Sequence, residues 1–149
     1  HTRSYSVLEF RRVLFRSQQY SVTEEKARGM FTKALACNAT IFTAKKDGQT
    51  AGFVWFMTHG AWDRSGYIRL IGVSPRFQGH TIGAQLMAAA ETEMFKTVQD
   101  VFLLVTASNT SAQRFYEKLG YAGVGAIPDY VCPGITELIY RKRLQQKDG

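Results

Sequence analysis

Ile68-Arg69-Leu70-Ile71-Gly72-Val73-Ser74-Pro75-Arg76-Phe77-Gln78-Gly79-His80-Thr81-Ile82-Gly83-Ala84-Gln85-Leu86 is the stretch around which the chain is organised. Ile68, Leu70, Ile71 and Val73 supply a strand, Ser74-Pro75 ends it, and a glycine-containing loop delivers the chain to a helix that begins near Ile82. A strand that runs through a glycine loop into a helix leaves several backbone N–H groups unpaired and aimed at one point, and the helix dipole adds partial positive charge there. Such a corner suits a phosphate. The loop lacks the Lys-Ser/Thr of a P-loop and the spacing of G-x-G-x-x-G, so taken alone it is equally a structural turn.

Upstream, Ser21 or Thr23 caps a helix whose first turn carries Glu24 and Glu25 and whose apolar positions Ala27, Met30, Phe31, Ala34 and Leu35 fall at helical spacing. This helix should end near Cys37-Asn38. Ile41 to Lys45 reads as a strand, Asp47-Gly48 as a hairpin turn and Thr50 to Thr58 as a second strand, with a polar tip from His59 to Ser65. Downstream of the loop, Ile82, Leu86, Ala89, Ala90 and Met94 make an apolar helical face. Val101 to Val105 is apolar throughout, as in a central strand covered on both faces. Ser108-Asn109-Thr110 offers N-caps to a helix with Ala112, Phe115, Tyr116 and Leu119 on one face and Gly120 as its left-handed cap. A last hairpin pairs Tyr121 to Ile127 with Thr136 to Arg143. The order is α–β–β–β–α–β–α–β–β, an α/β (α+β) chain with a mixed, mostly antiparallel twisted sheet flanked by helices.

The chain has 149 residues, enough for one domain with one core, and its 45% apolar and 13% aromatic content fits a folded protein. Its longest run without Asp, Glu, Lys or Arg, Gly48 to Trp62, is 15 residues, shorter than the roughly 18–20 of a spanning helix. No membrane partner is expected. Cys37 and Cys132 show no zinc or C-x-x-C spacing, so no metal is expected and both read as ordinary thiols of a cytoplasmic protein. The net charge of +7 raises the question of nucleic acid, but the basic residues are scattered apart from Arg141-Lys142-Arg143, and no nucleic-acid partner is expected.

Residues 1–17 fit none of this. They carry Arg3, Arg11, Arg12 and Arg16 against Glu9 alone, without helical periodicity. Leu14-Phe15-Arg16-Ser17 is what CTC-TTC-CGA-TCT encodes, a string that resembles the end of a sequencing-library adapter. The expectation is a non-native segment over 1–17, a single domain over 18–144 and a polar tail over 145–149. An edge strand from Val7 to Phe15 is the alternative.

Two motifs carry a resemblance. Val73-Ser74-Pro75-x-x-Gln78-Gly79-x-x-Ile82-Gly83-x-x-Leu86 resembles the acetyl-CoA signature of the GNAT acetyltransferases, Q/R-x-x-G-x-G/A, with Thr81 in place of the middle glycine. Asn109-x-x-Ala112-x-x-Phe115-Tyr116-x-x-Leu119-Gly120-Tyr121 is similar to the family's second characteristic string. The resemblance covers roughly residues 22–144 and implies a GNAT-like fold whose N-terminal strand and first helix are missing or replaced.

The resemblance also implies acetyl-CoA as acetyl donor and transfer to a primary amine of a small molecule or peptide by direct attack in a ternary complex. It is compatible with a homodimer. Backbone N–H groups of Gln78, Gly79, His80, Thr81, Ile82, Gly83 and Ala84 would take the pyrophosphate. Ile71, Gly72 and Val73 would pair with the pantetheine arm in a gap between Ile68–Val73 and Val101–Val105. Asn109 and Ala112 would contact the arm, and Tyr116 would face the thioester sulfur as general acid. Asn109 as a plain N-cap and Tyr116 as a core residue are the structural alternatives. No Glu stands on the strand before the loop, so Asp63, His59, Asp129 and a water chain remain open as the base. A degenerate CoA-binding or interaction domain without turnover is the competing function.

Overall fold

The computed structural model describes residues 29, 32–33, 36–79 and 81–146. The expected segment 1–17 and the first motif's His80 lie outside them. So does most of the helix expected from Ser21; its described residues Gly29, Thr32, Lys33 and Ala36 are helical. Cys37 N donates to Lys33 O at 3.1 Å, and Asn38 turns left-handed at φ 51°, so this helix stops where its sequence suggests.

Strands β1 (Thr40–Lys46), β2 (Gln49–Ala61) and β3 (Ser65–Val73) follow as an antiparallel meander. Asp47 and Gly48 both take positive φ, 52° and 70°, the geometry that a two-residue hairpin needs to match strand twist. β2 runs three residues beyond the expected Thr58, to Ala61, because the turn is confined to residues 62–64, in which Trp62 and Asp63 are left-handed at φ 53° and 54°. After a short 3-10 turn (Pro75–Phe77) come α1 (Ile82–Met94), β4 (Asp100–Thr106), α2 (Thr110–Lys118), β5 (Ala122–Pro128) and β6 (Thr136–Arg143). The six strands form one mixed sheet in the order β1-β2-β3-β4-β6-β5, in which β3 and β4 are the parallel neighbours. Among the described residues, no helix is long and apolar enough to cross a membrane.

Both α1 and α2 contribute to the core formed with Val54, Phe56, Ile68, Val101, Leu103 and Val105. Full burial of Phe56, Met87, Met94 and Leu103 contributes about 1.5–3 kcal/mol each. The stripe of α1 differs by one edge from the expected one. Its buried residues are Ile82, Leu86, Met87, Ala90, Glu91 and Met94, which centres the stripe so that Ala89 falls just outside it and is exposed. β4 is central, but its second face is only half-buried at Phe102 and Leu104, so an uninterrupted apolar run did not require complete cover on both sides. Trp62 stands edge-on to Phe102 there, with ring centroids 5.0 Å apart.

Glu91 is a buried carboxylate on α1, and it ties three elements together. It accepts from Tyr121 Oη at 3.0 Å, just before β5, and from Lys142 Nζ at 2.7 Å on β6. Burial and the adjoining carboxylate push the Tyr121 hydroxyl far above the usual tyrosine range, so it remains a donor at any ordinary pH. Tyr121→Phe removes one of two partners of a buried charge. It should lower stability in urea melts by about 1.5–3 kcal/mol; a change within about 0.5 kcal/mol would mean that Lys142 alone satisfies Glu91.

Candidate functional site

The site begins with one surplus residue. Trp55 pairs with Leu70 and its neighbour Phe56 pairs with Ile68, so Arg69 has no partner on β2 and forms a bulge. A bulge bends its strand and sharpens the twist. The parallel pairing of β3 with β4 covers Gly66↔Val101, Tyr67↔Phe102 and Ile68↔Leu103, and stops one residue before Arg69. Beyond that fork, β4 pairs only with β6, through Thr106↔Glu137, while β3 pairs only with β2, through Val73↔Gly52. The gap inferred between Ile68–Val73 and Val101–Val105 is therefore present over the second half of both strands.

Ser74 N donates to Ala51 O on β2 at 2.7 Å. Strand alternation then turns the amide groups of Val73 and Ile71 toward the gap, so this edge can accept an extended chain. Gly72 is buried, and a Cβ on it would lie 2.8 Å from Phe53 Cε1; the same alternation turns its own amide toward Phe53 on β2 and away from the gap.

The loop turns on two left-handed residues, Gly79 at φ 80° and Thr81 at φ 61°. Gln78 and Gly79 are exposed, and Thr81 precedes α1 without capping it through its side chain. Ile82, Gly83 and Ala84 form the first turn, where an α-helix leaves N–H groups without intrahelical partners. Gly83 also sets the distance to α2: a Cβ there would lie 3.2 Å from Phe115 Cζ.

At the far side of the gap, Asn109 is the N-cap of α2, its Oδ1 accepting from Ala112 N at 3.1 Å. The structural alternative for Asn109 is thus present, and the side-chain nitrogen is not consumed by it. Gln113 Nε2 donates to the carbonyls of Thr106 and Ala107 at 3.3 and 2.8 Å, fixing the turn between β4 and α2. Ala112 is half-buried on the core side of α2. Tyr116 is the buried residue of that helix, its ring centroid 5.2 Å from that of Phe115 and 6.0 Å from that of Tyr121.

The open choices for a base sort by position. Asp63 and His59 sit at the opposite end of the sheet, separated from Val73 by most of β3, a strand about 30 Å long at ~3.3 Å per residue. Asp129 is at the correct end but exposed, and its Oδ1 accepts from Gly134 N inside the β5–β6 loop. A buried carboxylate that the motifs did not single out, Glu137, also lies at that end, 7% exposed and accepting from Thr106 Oγ1 at 3.0 Å. Its signal in the sequence is a lone acid among Thr136, Leu138, Ile139 and Tyr140. Among the described residues, no cluster of His, Cys, Asp and Glu forms a metal centre.

Residues 6–121 match the family model of the Acetyltransferase (GNAT) family, a match that begins within the segment 1–17. Over 81 residues, the chain is 33% identical to mycothiol acetyltransferase of Streptomyces griseus, covering 54% of this chain and 26% of that protein. The chain thus spans about a quarter of that relative's length. In fold, it resembles the ribosomal-protein-S18-alanine N-acetyltransferase from Escherichia coli, with a TM-score of 0.77 at 19% identity over 95% of this chain and 89% of that one. It resembles equally an aminoglycoside 6'-N-acetyltransferase complexed with coenzyme A, with a TM-score of 0.77 at 15% identity over 95% and 93% of the two chains.

A β-branched residue at positive φ stores on the order of 1–3 kcal/mol of strain. Thr81 is such a residue, and its hydroxyl accepts from the exposed Gln85 amide at 3.3 Å. Thr81→Gly should therefore raise the urea midpoint without weakening ligand binding at the loop. Lower stability together with weaker binding in calorimetry would show that threonine supports a loop shape glycine does not hold.

Proposed function

This chain belongs to the GNAT acetyltransferase family, and from that premise we propose that it moves the acetyl group of acetyl-CoA to a primary amine of a small molecule or peptide. The observation that carries the proposal is the fork between β3 and β4, which opens at Arg69 and has the α1 N-terminus at its rim. A pyrophosphate suits the loop of residues 78–84, where N–H groups and the helix dipole converge. An extended amide chain suits the unpaired edge at Ile71 and Val73, as an added strand would. Pantetheine is such a chain. Its thioester then reaches the fork, with Asn109 and Ala112 beside it on α2. The neighbour that holds coenzyme A shares this fold.

In the proposed ternary complex, the amine attacks the thioester carbonyl directly. Holding the two in contact supplies roughly 7–11 kcal/mol of the barrier. Tyr116 acts as the acid that protonates the departing thiolate, its ring fixed by Phe115 and Tyr121. The two cysteines, Cys37 and Cys132, are exposed and free, which suits a reducing cytoplasm.

Thiol release from acetyl-CoA, measured across a panel of primary amines, tests the function. Binding of acetyl-CoA with no release for any amine would leave a binding module and sink the transfer. Tyr116→Phe keeps the ring and removes the acid. It should change acetyl-CoA binding by less than about 1 kcal/mol while turnover falls by roughly 10²-fold or more. Wild-type turnover in that variant would show that water protonates the thiolate.

A further inference from the structure

We propose that Glu137 binds the ammonium group of the acceptor and takes its proton; this rests on the acetyl-transfer reading above. Glu137 pairs with Thr106 at the last residue of β4, three residues and about 10 Å beyond the final β3–β4 pair at ~3.3 Å per residue. It therefore flanks the mouth of the fork. Its neighbour Leu138 pairs with Val105 and packs against the core beneath the helices, so alternation turns Glu137 to the opposite face of the sheet.

That opposite face is the correct one for an acceptor. The N-terminus of α1 approaches the fork from the helix-covered face, and a cofactor held there brings its thioester in from that side. The nucleophile must then arrive from the face to which Glu137 points. Such a position also separates the incoming nitrogen from the leaving sulfur.

The carboxylate has capacity to spare. Its Oε1 accepts from Thr106 Oγ1 at 3.0 Å, and no group of the described protein bonds Oε2. The other buried carboxylate, Glu91, is occupied by Tyr121 and Lys142. Glu117 accepts from Tyr140, and Asp100 accepts from Arg143. Asp47 and Asp129 reach the same end of the sheet but are exposed in turns. Burial at 7% exposure of a carboxylate with an unused oxygen is costly unless a cation or donor arrives, and a primary ammonium provides both.

The step balances as follows. R–NH3+ gives one proton to Glu137 Oε2, and the freed lone pair forms a C–N bond to the thioester carbonyl carbon. The tetrahedral intermediate collapses, the C–S bond breaks, and the thiolate takes a proton from the Tyr116 hydroxyl. The nitrogen gives its second proton to solvent as the amide forms, solvent returns one to Tyr116 and removes the one on Glu137, and one proton is released overall.

Butylamine is an ammonium ion at neutral pH, whereas hydroxylamine is uncharged and attacks without first losing a proton; because it also cleaves thioesters unaided, every rate is taken above that of an enzyme-free control. Glu137→Gln keeps the acceptor for Thr106 and removes the charge. The full chain carrying it should release thiol about 10²-fold more slowly with butylamine and within about threefold of wild type with hydroxylamine, and Glu137→Asp should restore part of the butylamine rate. Equal losses with both nucleophiles would overturn the proposal, because they would mark Glu137 as a structural partner of Thr106. An unchanged butylamine rate would overturn it as well. If Glu137→Gln fails to fold, Glu137→Asp decides by the same ratio of the two nucleophiles, an unshifted ratio with slower release of both counting against the proposal. Wild-type chain that releases thiol with neither nucleophile would instead refute acetyl transfer itself, a result distinct from selective failure of the variant.

Discussion

One residue without a partner, Arg69, governs the shape of this sheet. Parallel strands hold together only while their ladders stay in step, and the extra residue in β3 bends that strand where the ladder to β4 ends. β2 follows the bend because its pairing resumes at Leu70, and β4 does not because its other neighbour, β6, stays in register along its whole length. The fork is thus a consequence of β3 bending with β2 at the bulge while β4 stays straight along β6.

A sheet divided in this way needs a brace across its undivided half. Glu91 supplies one by joining α1 to the start of β5 and to β6 within the core. At the divided end, Gly83 lets α1 and α2 approach closely at Phe115. The two helices are therefore located relative to each other at the end where the strands part, and the loop before α1 and the cap of α2 are held on opposite sides of the fork. Asn109 and Gln113 both spend polar groups on the turn after β4, which keeps that side fixed.

Much of this was legible in the sequence because local chemistry set it. Asp47-Gly48 announced its hairpin, Gly120 its left-handed cap at φ 92°, and Asn109 its N-cap. The glycine loop announced the passage from β3 to α1. The bulge was hidden in plain view: Ile68 and Leu70 would share a face in a regular strand, yet each is buried, Ile68 in the core beneath the helices and Leu70 opposite Trp55. Periodicity marks such a slip only faintly, since any apolar residue satisfies either face. Glu137 escaped for a different reason. A single acid in a strand reads as solvent-facing, and its burial comes from tertiary neighbours that no spacing reveals.

The outer strand β5 gives a last consequence, concerning how the chain keeps to itself. Its residues are almost all exposed, and an exposed strand edge invites another chain to join it. Here that edge is broken: the ladder to β6 slips between Gly123 and Gly125, and Pro128, which has no N–H, closes the strand. The edge at Ile71 and Val73 is, by contrast, recessed within the sheet, between β3 and β4. Irregularity along β5 thus leaves a poor template for a further strand, which disfavours edge-to-edge aggregation there.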